Sequence, residues 1–257
     1  MLEIPPLPVN TILLVEVGST AHGTGIAGGE DHDEMGVVVE EASQVLGLDE
    51  RGFRTVMQRT QPDGVRSGPG DIDRVLHSLR RFVRLAASGN PSVLMSLWAP
   101  IEHADEHGIA LRALGEAFVG RHVLPRYRGY MQAQGQRLLG LRGASRGTRG
   151  SGGREELIAA HGFDTKFAMH AARLGFQGIE LVTTGKLDLP IQGEPALWLR
   201  SVRHGEVPFQ EWWDRSLELD ARLAELMDDE SIPPDADRAR IDAWSIATHR
   251  AVWAAAP

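Results

Sequence analysis

Two short apolar runs stand out in the N-terminal part of the chain. Thr11-Ile12-Leu13-Leu14-Val15-Glu16-Val17 and Gly36-Val37-Val38-Val39 predict strands over residues 11–17 and 36–40. Between them, Gly18 to Gly29 reads as a turn with a short helix. A third strand is expected around Asp71-Ile72-Asp73. An amphipathic helix should follow it, with Leu76, Leu79, Val83 and Ala86 on one stripe. Asn90-Pro91 ends that helix, and Ser92 is the expected N-cap of the segment Val93–Trp98. Residues 44–70, punctuated by Gln61-Pro62-Asp63-Gly64 and Ser67-Gly68-Pro69-Gly70, read as a loop or hairpin. Beyond residue 100 the texture turns helical, over 105–119, 122–140, 154–175, 176–185, 209–228 and 235–254. The stretch 141–153, rich in Gly, Ser and Arg, is expected to be a mobile loop. The pattern predicts an α+β fold, with a small mixed-sheet domain over 1–100 and a mainly helical domain over 101–257.

The candidate chemistry sits between the first two runs. Val17-Gly18-Ser19 is followed after eleven residues by Asp31-His32-Asp33. Side chains alternate along a strand, so Asp31 and Asp33 point the same way and His32 points away from them. Two carboxylates on one face at a strand start suit a hard cation such as Mg²⁺ held together with substrate phosphates. Gly18-Ser19, at a strand-to-helix turn, offers N–H groups and a hydroxyl to a phosphate. Together these residues suggest nucleotidyl transfer. Other readings fit less well. Gly23-Thr24-Gly25-Ile26-Ala27-Gly28 matches G-x-G-x-x-G but lacks a strand directly before it and room for a crossover helix after it. A calcium loop fails because Met35 takes a ligand position and Ala42 stands where the bidentate Glu belongs. A phosphatase-type Asp-x-Asp would follow an apolar strand rather than Gly28-Gly29-Glu30. An isolated Asp-x-Asp could also simply solvate a turn.

Gly18-Ser19-Thr20-Ala21-His22-Gly23 and Asp31-His32-Asp33-Glu34-Met35-Gly36 resemble the signature of the polymerase-beta nucleotidyltransferase superfamily. More narrowly, they resemble its predicted nucleotidyltransferases from phages and bacterial RNA-repair gene clusters. Later blocks follow in order. Asp73-Arg74-Val75-Leu76-His77-Ser78-Leu79-Arg80-Arg81-Phe82 is similar to the segment carrying that family's third carboxylate. Gly89-Asn90-Pro91-Ser92 resembles its GNP turn, and the stretch from Gly162-Phe163-Asp164-Thr165-Lys166 to Arg173-Leu174 resembles its GYDxKxAxHxxRL helix. Glu30 and Glu34-Met35 depart from the usual residues. The resemblance implies a Mg²⁺-dependent enzyme (with Mn²⁺ as an alternative ion) that moves a nucleoside monophosphate from a nucleoside triphosphate such as ATP to an acceptor hydroxyl. Asp31, Asp33 and Asp73 would be the catalytic and metal-binding carboxylates, with Asp71 on the same face as the alternative third. Gly18, Ser19, His22, Lys166 and His170 would bind the nucleotide. Lys166 and His170, spaced i, i+4, share a helix face with Arg173 nearby, and Asp164 reads as the cap of that helix.

Composition sets outer limits. The chain of 257 residues is long enough for one or two domains, has no cysteine, and carries a net charge of −8. Disulfides and thiolate metal sites are excluded, and nonspecific coating of nucleic acid is disfavoured. The absence of a membrane-length apolar run and of a signal-peptide pattern leads us to expect a cytoplasmic protein with no membrane partner. Lysine occurs only at Lys166 and Lys186. Eight arginines and no acidic residue lie between Ala117 and Arg154. This is either a contact for nucleotide phosphates or an RNA acceptor, or a solvated face. Tyr127 and Tyr130 within it are candidates for base stacking, whereas Trp212, Trp213 and Trp244 read as core or interface residues. A noncatalytic nucleotide-binding or toxin-neutralising protein with the same fold is the alternative function.

Overall fold

The first apolar run forms β1 (Thr11–Glu16), buried along nearly its whole length, as a continuous apolar run requires of a strand covered on both faces. In the structure, a computed structural model, residues 4–25, 32–48, 54–62, 64–65, 67–138 and 155–255 are described. The turn after β1 winds into α1 (Gly18–His22). The second strand, β2 (His32–Val38), begins at His32 rather than Gly36. Its charged first half, His32-Asp33-Glu34, hides it from a reading based on apolar runs. α2 (Ala42–Leu46) and β3 (Thr55–Arg59) follow, then β4 (Ile72–Ser78), α3 (Leu79–Ala87), α4 (Pro91–Leu94), β5 (Ile101–Ala104) and α5 (Glu106–Ala113). The five strands form one sheet in the order β3-β4-β2-β1-β5. β2 and β4 run parallel and the other neighbours antiparallel, which makes the sheet mixed as expected.

Three local readings change. Leu76 is not on the helix stripe: it lies on β4, 1% exposed, and packs with Leu14 and Val38. The helix starts at Leu79 because the Ser78 hydroxyl caps it, accepting from the Arg81 N–H; Leu79, Phe82, Val83, Ala86 and Ala87 form its buried face. Asn90, not Ser92, is the next N-cap. Its side-chain oxygen accepts from the Ser92 and Val93 amides, with Pro91 in the first helical position where no N–H is needed. β5 is an addition to the prediction, whereas β3 pairs antiparallel with β4 as the hairpin reading of residues 44–70 allows. Both are short edge strands with exposed apolar side chains, Met57 at 69% and Ile101 at 46%, so burial imposes no alternation on them.

Contacts group the chain into two compact units: Met1–Phe118 with Asp188–Pro190 and Ala236–Pro257, and Val119–Leu187 with Ile191–Asp235. Residue 100 therefore falls inside the sheet unit. The other unit contains α6 (Leu124–Leu138), α7 (Glu155–His161), α8 (Thr165–Thr184), α9 (Gly193–His204) and α10 (Phe209–Met227). α9 lies in a stretch with no predicted helix, and α8 runs unbroken through residues 175 and 176. Gly175 and Gly178 permit close packing there: side chains at these positions would press on Met131 and Leu219, and on Tyr127 and Leu223. Asp164 caps α8, accepting from the Lys166 and Phe167 amides at 3.0 and 3.1 Å. Trp212 is buried and donates its indole N–H to the Ala168 carbonyl at 2.9 Å. The stretch 141–153 lies outside the described residues.

The chain then returns to the sheet unit as α11 (Arg238–Ala255). Its His249 Nε2 lies 3.2 Å from a carboxylate oxygen of Glu40, the second residue after β2, and the Trp253 indole N–H donates to the Glu40 carbonyl at 2.7 Å. No helix among the described residues is long and apolar enough to cross a membrane.

Candidate active site

The end of β1 and the start of β2 bring the glycine–serine turn onto a carboxylate. The Val17 N–H donates to the Asp33 carbonyl at 2.8 Å. Gly18 takes φ +72°, a left-handed conformation glycine adopts without steric cost. A Cβ placed on Gly18 would run into the Asp33 carboxylate. Both the backbone angle and the approach therefore demand glycine here. Ser19 is half-buried on the first turn of α1, and His22 is buried on the same turn and a half of helix.

The second carboxylate comes from across the sheet. Asp33 and Asp73 are in-register partners in the parallel β2–β4 ladder. In-register residues project from the same face of strands about 4.8 Å apart. Asp31 lies outside the described residues. Asp71 has a different job: it accepts from the Thr60 hydroxyl and the Gly68 N–H, both at 3.0 Å, and so ties the β3–β4 connection together. Asp73 accepts from Arg59 Nε and Gln61 Nε2, both at 2.8 Å, through one oxygen, and from the Ser67 hydroxyl at 2.5 Å through the other. Partial burial pushes its pKa up, but the hydrogen bonds from Arg59, Ser67 and Gln61 and the Arg59 charge outweigh this and hold it below the usual carboxylate range. A carboxylate oxygen has two lone pairs, so the Ser67-bonded oxygen retains room for one more partner. Arg59, Gln61 and Ser67 were not singled out from the sequence, because they lie in the segment whose pattern is weakest.

The opposite face of the sheet start carries a separate cluster. His32 lies 3.3 Å from both Glu16 and Glu34, and Arg74 pairs with Glu34 at 2.5 Å. His32 thus faces away from Asp33, as strand alternation predicts. Glu34, which departs from the family pattern, is buried against a guanidinium.

Lys166 and His170 belong to the helical unit, half-buried one turn apart on α8, whereas Gly18, Asp33 and Asp73 belong to the sheet unit. On the same helix Arg173 donates to Gln177 at 3.0 Å, and burial brings its pKa down to about 10. Tyr127 is fully buried and so is not a stacking surface, while Tyr130 is 41% exposed.

Among the described residues no group of three or more His, Cys, Asp or Glu side chains stands ready to hold a metal ion. Asp33 and Asp73 nevertheless supply the hard oxygen donors that Mg²⁺ and Mn²⁺ prefer. A mixed sheet with the glycine–serine turn seated on one of two in-register aspartates, followed by a mostly helical region, is consistent with the α+β fold of a polymerase-beta-type nucleotidyltransferase. The sequence model of the RNA repair pathway DNA polymerase beta family matches residues 6–245, and the chain belongs to that family. No curated protein matches it. Among solved structures, a nucleotidyltransferase-like protein from Exiguobacterium sibiricum 255-15 is similar at 9% identity and a TM-score of 0.29. The match covers 85% of this chain and 69% of that one, and is too remote to inform the site.

Proposed function

We propose that the protein is a Mg²⁺-dependent nucleotidyltransferase of the cytoplasm. It would move a nucleoside monophosphate from a triphosphate such as ATP to an acceptor hydroxyl, with an RNA end as the acceptor the basic 117–154 segment favours. The observation that carries this reading is the convergence of Gly18 on Asp33 together with the Asp33–Asp73 register. In the proposed reaction the acceptor oxygen attacks the α-phosphorus in line. The α–β bridging P–O bond breaks, and pyrophosphate leaves with the bonding electron pair. Asp33 and Asp73, with Asp31, would hold the cation, which when bound neutralises charge on the phosphates and sharpens the attacking oxygen as a nucleophile. The Gly18 and Ser19 amides and the Ser19 hydroxyl would receive the β- and γ-phosphates, with His22 adjoining. Asp73, held ionised by its hydrogen bonds from Arg59, Ser67 and Gln61, would give the open position of its Ser67-bonded oxygen to the cation, and the proton of the attacking hydroxyl would pass to water. Within the helical unit, Lys166 and His170 are the nucleotide-binding residues that the family resemblance of their helix assigns.

The test is pyrophosphate release from each nucleoside triphosphate with Mg²⁺ in the presence of RNA, protein and small-molecule acceptors. Wild-type release that disappears in Asp33→Ala supports the enzyme, and label retained on RNA assigns the acceptor. Nucleotide binding without release under any acceptor would instead favour a noncatalytic or toxin-neutralising protein.

A further inference from the structure

The far end of the same sheet carries a second concentration of phosphate-binding chemistry. Arg80 and Arg84 stand one turn apart on the exposed side of α3, and Arg250 reaches the same groove from α11. The cavity they border measures about 370 Å³, within the range of small-molecule sites. Val83, Ile246 and Trp253 give it apolar walls; Ile246 is 51% exposed. Among the described residues the lining contains one acidic side chain, Asp242. Glu40, behind it, is engaged by His249. None of the three guanidinium groups forms an ion pair among the described residues.

This arrangement has a cost and no internal return. Like charges at i, i+4 destabilise a helix by about 0.2–0.5 kcal/mol, and a third cation is added from another helix in a protein whose net charge is −8. Guanidinium forks match phosphate oxygens bidentately, and an exposed aliphatic side chain beside a tryptophan offers a surface to a flat base. The groove lies beyond the C-terminal ends of β2 and β4, whereas Asp33 and Asp73 lie near their starts. The strand rise of about 3.3 Å per residue puts roughly 20 Å between them.

We propose that this α3–α11 groove is a nucleotide-phosphate site separate from the Asp33–Asp73 site, with Arg80, Arg84 and Arg250 holding phosphate and Ile246 and Trp253 flanking the base. The phosphate can arrive on a free nucleotide or on the end of an RNA strand, and two probes distinguish these sources.

The experiment uses the full chain in EDTA, so that it reads binding without catalysis and does not depend on the proposed activity. The probes are ATP, followed by calorimetry, and a 5′-phosphorylated single-stranded octaribonucleotide, followed by fluorescence anisotropy. At least one should bind the wild type. Arg84→Glu/Arg250→Glu should weaken that binding more than tenfold. If RNA is the ligand, contacts from three arginines give a slope of about −2 in log affinity against log salt, which shrinks in the reversed variant. The milder triple variant Arg80→Gln/Arg84→Gln/Arg250→Gln should show the same loss with a thermal transition no lower than that of the wild type, separating lost binding from lost folding. Tighter binding of the octamer assigns a strand end, and tighter binding of ATP assigns a free nucleotide. Absence of binding of both probes, or undiminished binding by both arginine variants, would overturn the proposal.

Discussion

Replacing Gly18 by alanine tests the closest contact at the candidate site. The φ of +72° at Gly18 costs an L-residue about 1–2 kcal/mol. The new Cβ would also run into the Asp33 carboxylate and stand 3.0 Å from the Asp33 Cβ, adding at least about 1 kcal/mol of overpacking. A total of about 2–3 kcal/mol lowers the melting temperature of a chain this size by roughly 4–12 °C. The two parts are separable. Asp33→Ala removes the carboxylate and leaves the 3.0 Å approach, so the double variant should be less destabilised than the sum of the singles, while the backbone cost persists. Thermal and urea unfolding of the four proteins measure this. Gly18→Ala should also abolish any Mg²⁺-dependent thermal shift by ATP, because the displaced carboxylate no longer faces the turn. An unchanged melting temperature, or strictly additive penalties in the double variant, would refute the claimed juxtaposition.

Other perturbations have definite signs. Arg59→Ala should raise the Asp73 pKa toward the ordinary range: the depressed value contributes stability present above the unfolded pKa and lost as pH falls through the folded one. Urea unfolding should therefore show a smaller loss below about pH 4 in this variant. At the α11 docking point, burial pushes His249 down, but its bonds with Glu40 and the Ser245 carbonyl and the Glu40 charge prevail over this and over Arg80, so its pKa is raised. Burial pushes Glu40 up, but hydrogen bonds from His249, its own amide, Ser78 and Arg80 hold it low. The histidine contribution is full below its unfolded pKa and fades as pH rises through the folded value; the glutamate contribution fades as pH falls. The pair should thus stabilise most between about pH 4.5 and 6.5, and His249→Gln should flatten that maximum in a pH series of unfolding midpoints. Asp164→Ala removes the acceptor of two amides at the start of α8 and should cost about 1–2 kcal/mol, measured by urea unfolding; a loss under a few tenths of a kcal/mol would show the cap is dispensable.

Much of the local structure was legible because it rests on near neighbours in the chain. The apolar run of β1, short and closed by Gly18, reads as a buried strand, and Asp164 reads as a cap from its place before a helical stripe. The boundary errors share one cause. Leu76 and Leu79 fit one helical stripe, yet the Ser78 cap divides them between strand and helix. Asn90 and Ser92 both have capping side chains, and the Pro91 between them decided in favour of Asn90.

The chain alone determined that a glycine–serine turn follows a buried strand, that Asp33 and His32 face opposite ways at the start of the next one, and that the remainder is mostly helical. Those features depend on φ preferences and side-chain alternation over a few residues. The tertiary structure alone decided that Asp73 stands opposite Asp33, that Arg59 and Ser67 engage it while Asp71 braces a loop, and that α11 returns to Glu40. Register between β2 and β4 is set by which faces must be buried in the assembled sheet, and His249 meets Glu40 across 209 residues of sequence. Packing of distant segments chooses such partners, and no local periodicity encodes that choice.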